Sequence, residues 1–317
     1  MLGAAHKPGA MPLRPLGLGD IYDAAFRIIR FNPKATVGSA VLVSSVAMAL
    51  PLLVTAAFTW SVDLSLPQTG DDLETADIAG LIASFSALGL GLLLQAVGTI
   101  LVTGMIAHVT AAAAIGRRLS LGEAWQATHG KRWRLIGMSF LLSLGSLALI
   151  AVYVGLWFLV AFAADGIAPV VIWGLLTVPA FICLALWLWI RVGYLPVPAL
   201  MLEGVGVFGA LGRGFRLSRR QFWRIFGIAL LTVLITGVAS QVLSFPVSML
   251  GQVVILVAGP QYEILGLVVI QAITSVLTAA FVAPFTGAVT SLQYLDQRIR
   301  KEAYDVELMT QAGITAS

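Results

Sequence analysis

The sequence predicts an all-α polytopic membrane protein with about six transmembrane helices and three amphipathic helices on its cytoplasmic face. Three observations predict it. Of 317 residues, 59% are hydrophobic and only 11% are charged, against roughly 25% charged in a soluble domain. Several apolar runs exceed the about 20 residues that carry a helix across the hydrocarbon core. All 19 Lys and Arg fall in segments that six crossings place on one side. A membrane β-barrel would instead show alternating segments of about 10 residues. These runs are continuous and rich in Leu, Ala, Val and Gly, so helices are the way to satisfy the backbone in lipid.

Residues 1–15 read as a disordered N-terminal tail, with no short apolar region of a cleavable signal peptide. Residues 16–294 read as a single integral membrane domain, and 295–317 as a cytoplasmic C-terminal tail. Over 16–34, Ile21, Ala25 and Ile28 share one helical face and Arg27, Arg30 and Lys34 another. Asp20 and Asp23 sit in the first turn, where a carboxylate suits the helix dipole. That pattern predicts a short helix lying at the membrane surface and ended by Pro33.

The six spans are expected at 36–60, 78–114, 135–164, 167–190, 225–258 and 264–294. Trp60 is the interfacial anchor of the first. The second is long for one crossing: at 1.5 Å per residue it reaches about 55 Å, against a core of about 30 Å. It either tilts and projects as one helix or breaks near Gly89 and Gly91. Residues 119–134 form a second surface segment. Pro179 is expected to kink the fourth span, and Pro246 and Pro284 lie inside the fifth and sixth. Pro196 and Pro198 predict an extended crossing to a third surface helix.

Charge predicts orientation. One side holds every Lys and Arg and eight of the 15 acids; the other holds Asp63, Asp71, Asp72, Glu74, Asp77, Asp165 and Glu263 and no base. The positive-inside rule places the basic side, and both termini, in the cytoplasm of a multi-pass plasma or inner membrane protein. The net charge of +4 therefore reflects sidedness, and no nucleic-acid partner is expected.

The segments preceding the first, third and fifth spans resemble one another. Setting 20–38 against 209–227 places Phe26 on Phe215, Arg27 on Arg216, Arg30 on Arg219, Asn32 on Gln221 and Gly38 on Gly227. The middle copy, 121–137, is shorter by about one helical turn. The unit is a surface helix, a span out, a turn and a span back, in a three-fold hairpin repeat.

Arg213, Arg216, Arg220 and Arg224 form a basic stripe at spacings of three and four, with Phe208, Leu211, Phe215 and Phe222 opposite. The stripe serves topology and anionic lipid, or clamps a phosphorylated headgroup, since Arg forks fit phosphate oxygens. Glu203 is expected to pair with Arg191 or Arg213, or to cap the following helix; Arg191–Glu203 is the structural ion pair this reading carries forward. Gln95, Gln241, Gln252 and Gln271 are the main intramembrane polar residues, read as interhelical hydrogen-bonding groups or as a polar path. No Asp, Glu, Lys or Arg falls within the spans, which argues against a proton-coupled pump.

Catalytic, metal and cofactor sites are not expected. His6, His108 and His129 have no metal-ligand spacing with another His, Cys or carboxylate. Cys183 is a lone apolar filler, and no nucleotide-binding or hydrolase motif stands in a strand-to-helix context.

The opening L-G-L-G-D-I-Y-D-A-A-F-R, the stretch from Arg191 to Leu217 and the closing L-Q-Y-L-D-Q-R-I-R-K-E-A-Y-D-V-E-L resemble the membrane-domain family of glycerophosphoryl diester phosphodiesterases. Arg191, Pro198, Ala199, Glu203, Ala210, Leu211, Arg213 and Leu217 match the family pattern, and Gly214 stands where Ser is usual. The resemblance covers nearly the whole chain and implies a bacterial polytopic membrane protein. It implies no catalysis, because in proteins with the phosphodiesterase activity a separate soluble barrel does the chemistry. The function expected is a non-enzymatic, lipid-interacting or accessory module of the cell envelope, with membrane phospholipids as partners. A transporter of a lipid-like or small amphipathic substrate is the first alternative, and a membrane enzyme acting on phospholipid headgroups the second. Protein partners and oligomeric state stay open.

Overall fold

The computed structural model describes residues 9–61, 75–164, 166–258 and 263–311. In chain order the helices are α1 (Leu18–Phe31), α2 (Pro33–Ser61), α3 (Thr75–Ala114), α4 (Leu121–Gln126), α5 (Arg132–Ala163), α6 (Ile167–Leu188), a π-helical turn (Trp189–Gly193), α7 (Pro196–Glu203), α8 (Val207–Ser218), α9 (Phe222–Ala258), α10 (Glu263–Glu302) and α11 (Tyr304–Gln311). There is no strand among the described residues. Six of these helices are long and apolar enough to cross a membrane: α2, α3, α5, α6 with its continuation, α9 and α10. The chain is an integral, multi-pass membrane protein by this measure. The expected acidic positions Asp63, Asp71, Asp72, Glu74 and Asp165, and the side chain of Trp60, lie outside the described residues.

Helix α10 is the axis. It packs along α2, α3 and α9, and α2 packs along α3. Small residues let these backbones approach, which is how helices associate where lipid is as apolar as their side chains. A Cβ on Gly98 would lie 3.1 Å from Val43 Cγ1, and one on Gly91 would lie 3.5 Å from Pro51 Cγ. Gly287 stands equally close to Ile106, at 3.1 Å. Helix α3 therefore runs unbroken through Gly89 and Gly91, and Gly91 fits α2 instead of breaking α3. Hydroxyls on these helices bond back to their own carbonyls: Thr232, Thr236 and Ser240 each donate to the residue four before, at 2.7–2.8 Å. That is the partner available to a hydroxyl with no water in reach.

The α5–α6 hairpin stands to one side. Its helices touch each other around Tyr153, which stacks on Phe181 at 4.0 Å and shares a 3.2 Å hydrogen bond with Thr177. Only the start of α5 joins the core, through Leu135, Met138 and Ser139. Beyond them Phe158, Phe162, Ile167 and Leu175 are exposed. Lipid solvates such side chains, so nothing drives them into protein.

The protein core lies at the basic end. One cluster joins Ile21, Ala25 and Ile28 of α1 to Met105, Ile106, Phe285, Leu292 and Leu295. A second joins Leu135, Ile190, Leu195, Leu200, Met201, Leu217, Ile225 and Tyr294. Four expectations are corrected here. The apolar face of α1 is covered by protein, not laid on lipid. Within the expected N-terminal tail, residues from Gly9 on pack inward: Ala10 N donates to Ala113 O at 2.8 Å, and Met11 and Leu16 are fully buried. The boundary at 294 does not exist, since α10 continues to Glu302 and α11 follows. The Pro196–Pro198 stretch is not extended; Pro196 opens α7 in the first turn, where its missing N–H is no loss. Pro33 likewise begins α2 and leaves Asn32 as a one-residue break.

The basic end as the candidate functional site

Two ion clusters are built where α10 emerges from the bundle. The first centres on Glu203, the last residue of α7, which Gly204 ends in a left-handed conformation (φ 67°). Arg213 of α8 donates its Nε to both Glu203 oxygens, at 3.0 and 2.8 Å. Tyr294 donates its hydroxyl to Glu203 Oε1, and Arg298 stands 3.4 Å from the same oxygen. Arg213 also reaches Glu302 at 2.6 Å, Arg298 holds Glu302 at 3.1 Å, and the Arg298 guanidinium lies 3.7 Å over the Tyr304 ring. Two guanidiniums thus balance two carboxylates between α7, α8, α10 and α11. Burial lowers the Arg213 pKa, but the Glu203 and Glu302 carboxylates more than reverse this and raise it above the ordinary value.

The second cluster centres on Asp296, which is fully buried. It accepts the Leu16 amide at 2.8 Å and the Arg300 Nε at 3.0 and 3.1 Å, and it takes a further bond from Arg224 Nη1. The same two arginines return to the Leu16 carbonyl, Arg300 at 3.0 Å. The N-terminal segment is thereby tied to α9 and α10.

These contacts reassign the expected stripe. Arg213 and Arg224 are held by carboxylates. Arg216 and Arg220 are exposed and, with Arg219, form no side-chain ion pair among the described residues. Their carbonyl neighbours are occupied: Lys301 Nζ donates to the Leu217 and Arg219 carbonyls at 2.7 and 2.8 Å and closes the end of α8. Phe208 and Trp223 flank this corner, each 79% exposed.

The Arg191–Glu203 ion pair does not form. Arg191 rises from the π-helical turn into an aromatic cage, with its guanidinium 5.1 Å from the Phe215 centroid and 5.8 Å from those of Trp187 and Phe222. The π-turn places Arg191 among these rings instead of beside Glu203. Burial of the carboxylate is compensated by Arg213 and Arg298.

The glutamines do not converge. Gln241 and Gln252 are exposed on α9, and Gln271 is exposed on α10, donating to Ser275 of its own helix at 3.1 Å. Gln95 Oε1 is buried without a hydrogen-bond partner. Cys183 is exposed on α6. Among the described residues no group of three His, Cys, Asp or Glu stands close enough to hold a metal ion. A concavity of about 550 Å³ collects Arg27, Arg30 and Arg118 beside the N-terminal segment.

Sequence reasoning missed Asp296, Arg298, Arg300 and Glu302 because they were assigned to a tail, and Tyr294 because it was placed at the apolar end of the sixth span. The signal was present: 294, 298 and 302, and 296 and 300, recur at the helical spacing of four. Comparison with protein-family models, with curated proteins and with solved structures finds no match.

Proposed function

We propose that this chain is a non-enzymatic module of the bacterial inner membrane that holds anionic phospholipid at a cytoplasmic basic face. The observation that carries the reading is the corner of α8 and α9. Arg216, Arg219 and Arg220 stand exposed and, among the described residues, without carboxylate partners beside exposed Phe208, Phe215 and Trp223. Aromatic rings favour the headgroup level, and arginines there attract anionic lipid by about 1 kcal/mol each. The resemblance to the membrane domains of glycerophosphoryl diester phosphodiesterases supports a membrane module. The uneven charge distribution supports the cytoplasmic placement. Three helix pairs, α2–α3, α5–α6 and α9–α10, each follow a shorter helix, which supports a hairpin-repeat ancestry. A transporter has less support, because Gln241 and Gln271 are exposed instead of lining a common path.

Native mass spectrometry of the protein with its co-extracted lipids tests this reading. Wild type is expected to retain anionic phospholipid selectively. Arg216→Ala/Arg220→Ala should lose about 2 kcal/mol of that preference, roughly thirtyfold. Unselective retention that the substitutions leave unchanged would refute it. Orientation is tested in a Cys183→Ser background with single cysteines at Ser61 or Arg219. An impermeant maleimide added to intact cells should label position 61 and not 219.

A further inference from the structure

The junction of α3, α4 and α7 holds a second candidate site. A cavity of about 550 Å³ opens there, lined among others by His108, Arg117, Glu123, Lys131 and Leu202. Small-molecule sites typically measure roughly 300–1,000 Å³. His108 is half-buried and makes no hydrogen bond among the described residues. Lys131 spends one of its three protons on Met201 O at 2.6 Å and keeps two. The Arg117 fork is largely exposed and stands 3.6 Å from Glu123.

Glu123 is the one carboxylate on the wall, and its charge is largely occupied locally. Its Oε2 accepts the Ser120 amide at 2.7 Å and the Ser120 hydroxyl at 2.9 Å, closing a capping box at the start of α4. What remains is an imidazole, an ammonium and a guanidinium around one space. These are three donors of different shape, and a phosphate ester presents anionic oxygens to meet them, three on a monoester and two on a phosphodiester. Trp125, 40% exposed, precedes the lining residue Gln126, and Trp133, 84% exposed, follows Lys131 by two residues. Such residues mark the headgroup level of a membrane.

We infer that this cavity binds a phosphate group, on a lipid headgroup or a soluble phosphate ester, through His108, Lys131 and Arg117. The site is separate from the Arg216–Arg220 corner and does not depend on the function assigned to that corner. Burial lowers the Lys131 pKa, with Arg134 adding to the effect. A bound anion would reverse that cost.

The test follows the His108 imidazole by ¹⁵N NMR of histidine-labelled protein in a maltoside detergent, which carries no phosphate. His108→Gln identifies its signal. The probes are glycerol 3-phosphate, dioctanoyl phosphatidylglycerol and, as control, dioctanoylglycerol. Saturable movement of the His108 signal with either phosphate-bearing probe, and none with the control, is the expected result. Movement with glycerol 3-phosphate assigns a soluble ester, and movement with the phospholipid alone assigns a headgroup. Lys131→Gln should weaken binding at least tenfold. His108→Gln, which removes no hydrogen bond among the described residues, should do the same for retention of dioctanoyl phosphatidylglycerol in native mass spectrometry. Arg216→Ala/Arg220→Ala should leave the His108 response intact. The inference is overturned if neither phosphate probe moves the signal, if dioctanoylglycerol moves it equally, or if the Arg216/Arg220 variant abolishes the response.

Discussion

Asp296, fully buried on α10, accepts the backbone amide of Leu16 at 2.8 Å across 280 residues of chain. Arg224 and Arg300 bind both partners of that bond, so four groups share one joint. Asp296→Asn would leave two guanidiniums facing a neutral amide. Breaking a buried pair costs about 3–5 kcal/mol. Both arginines keep roughly a third of their side-chain surface in solvent, so about 2–3 kcal/mol is expected after screening. Equilibrium unfolding in mixed micelles would register that loss. Limited proteolysis should show earlier cleavage between residues 9 and 18.

Arg213 Nε donates to both carboxylate oxygens of Glu203, at 2.8 and 3.0 Å, while Arg191 sits among aromatic rings. A double-mutant cycle with Glu203→Gln and Arg213→Gln should give a coupling of about 1–2 kcal/mol. The parallel cycle with Arg191→Gln should give about zero, within 0.5 kcal/mol. Equal couplings in the two cycles would contradict the assignment.

Gly214 is buried where α8 crosses α7. A Cβ there would stand 3.1 Å from Pro196 Cγ and 3.3 Å from Pro196 N. Gly214→Ser, which restores the residue usual in the resembled family, should therefore destabilise by about 1–3 kcal/mol. Pro196→Ala removes the obstructing ring atoms and should recover part of the loss. A neutral Gly214→Ser in the same unfolding assay would show that α7 and α8 can separate freely.

Arg220 adopts a left-handed backbone, φ 66°, in the turn from α8 to α9. A non-glycine residue pays about 1 kcal/mol for that conformation. Arg220→Gly should stabilise the fold by up to about 1 kcal/mol while lowering retention of anionic lipid. Arg220→Ala should lower retention without the gain, since alanine keeps the backbone cost. Opposite shifts in stability and lipid retention for the glycine variant are the outcome to look for.

Lys131 has its pKa lowered by burial and by Arg134. Below the native value both states carry the proton. Between that value and the ordinary lysine value of about 10.4 the unfolded chain holds more protons, so stability rises with pH across that window. Competitive acylation followed by peptide mapping should give Lys131 a titration midpoint below the ordinary lysine value.

The six long helices were legible because each depends on composition over some 20 residues, a signal that survives local irregularity. The ends were less legible. Leu295–Glu302 carries a charged sequence that reads as a tail, yet Tyr294, Asp296 and Ile299 are buried in one helix. A polar stretch can be buried when partners converge on it from elsewhere in the chain, and no local pattern announces them. Ile21, Ala25 and Ile28 illustrate a related ambiguity. An apolar stripe identifies a face that must leave water, but lipid and protein satisfy it equally well.

By itself the sequence determined the helical class, the number of apolar crossings and the concentration of every Lys and Arg in a few segments. These follow from the hydrocarbon thickness and from backbone groups that must bond within their own helix. Tertiary structure decided which charges are spent and which remain free. Arg213 and Arg224 look like Arg216 and Arg220 along the stripe, but Glu203, Glu302 and Asp296 occupy only the first two. The physical reason is reach: an ion pair needs its atoms within about 4 Å, and α7, α8, α9 and α10 come that close only after the chain has folded.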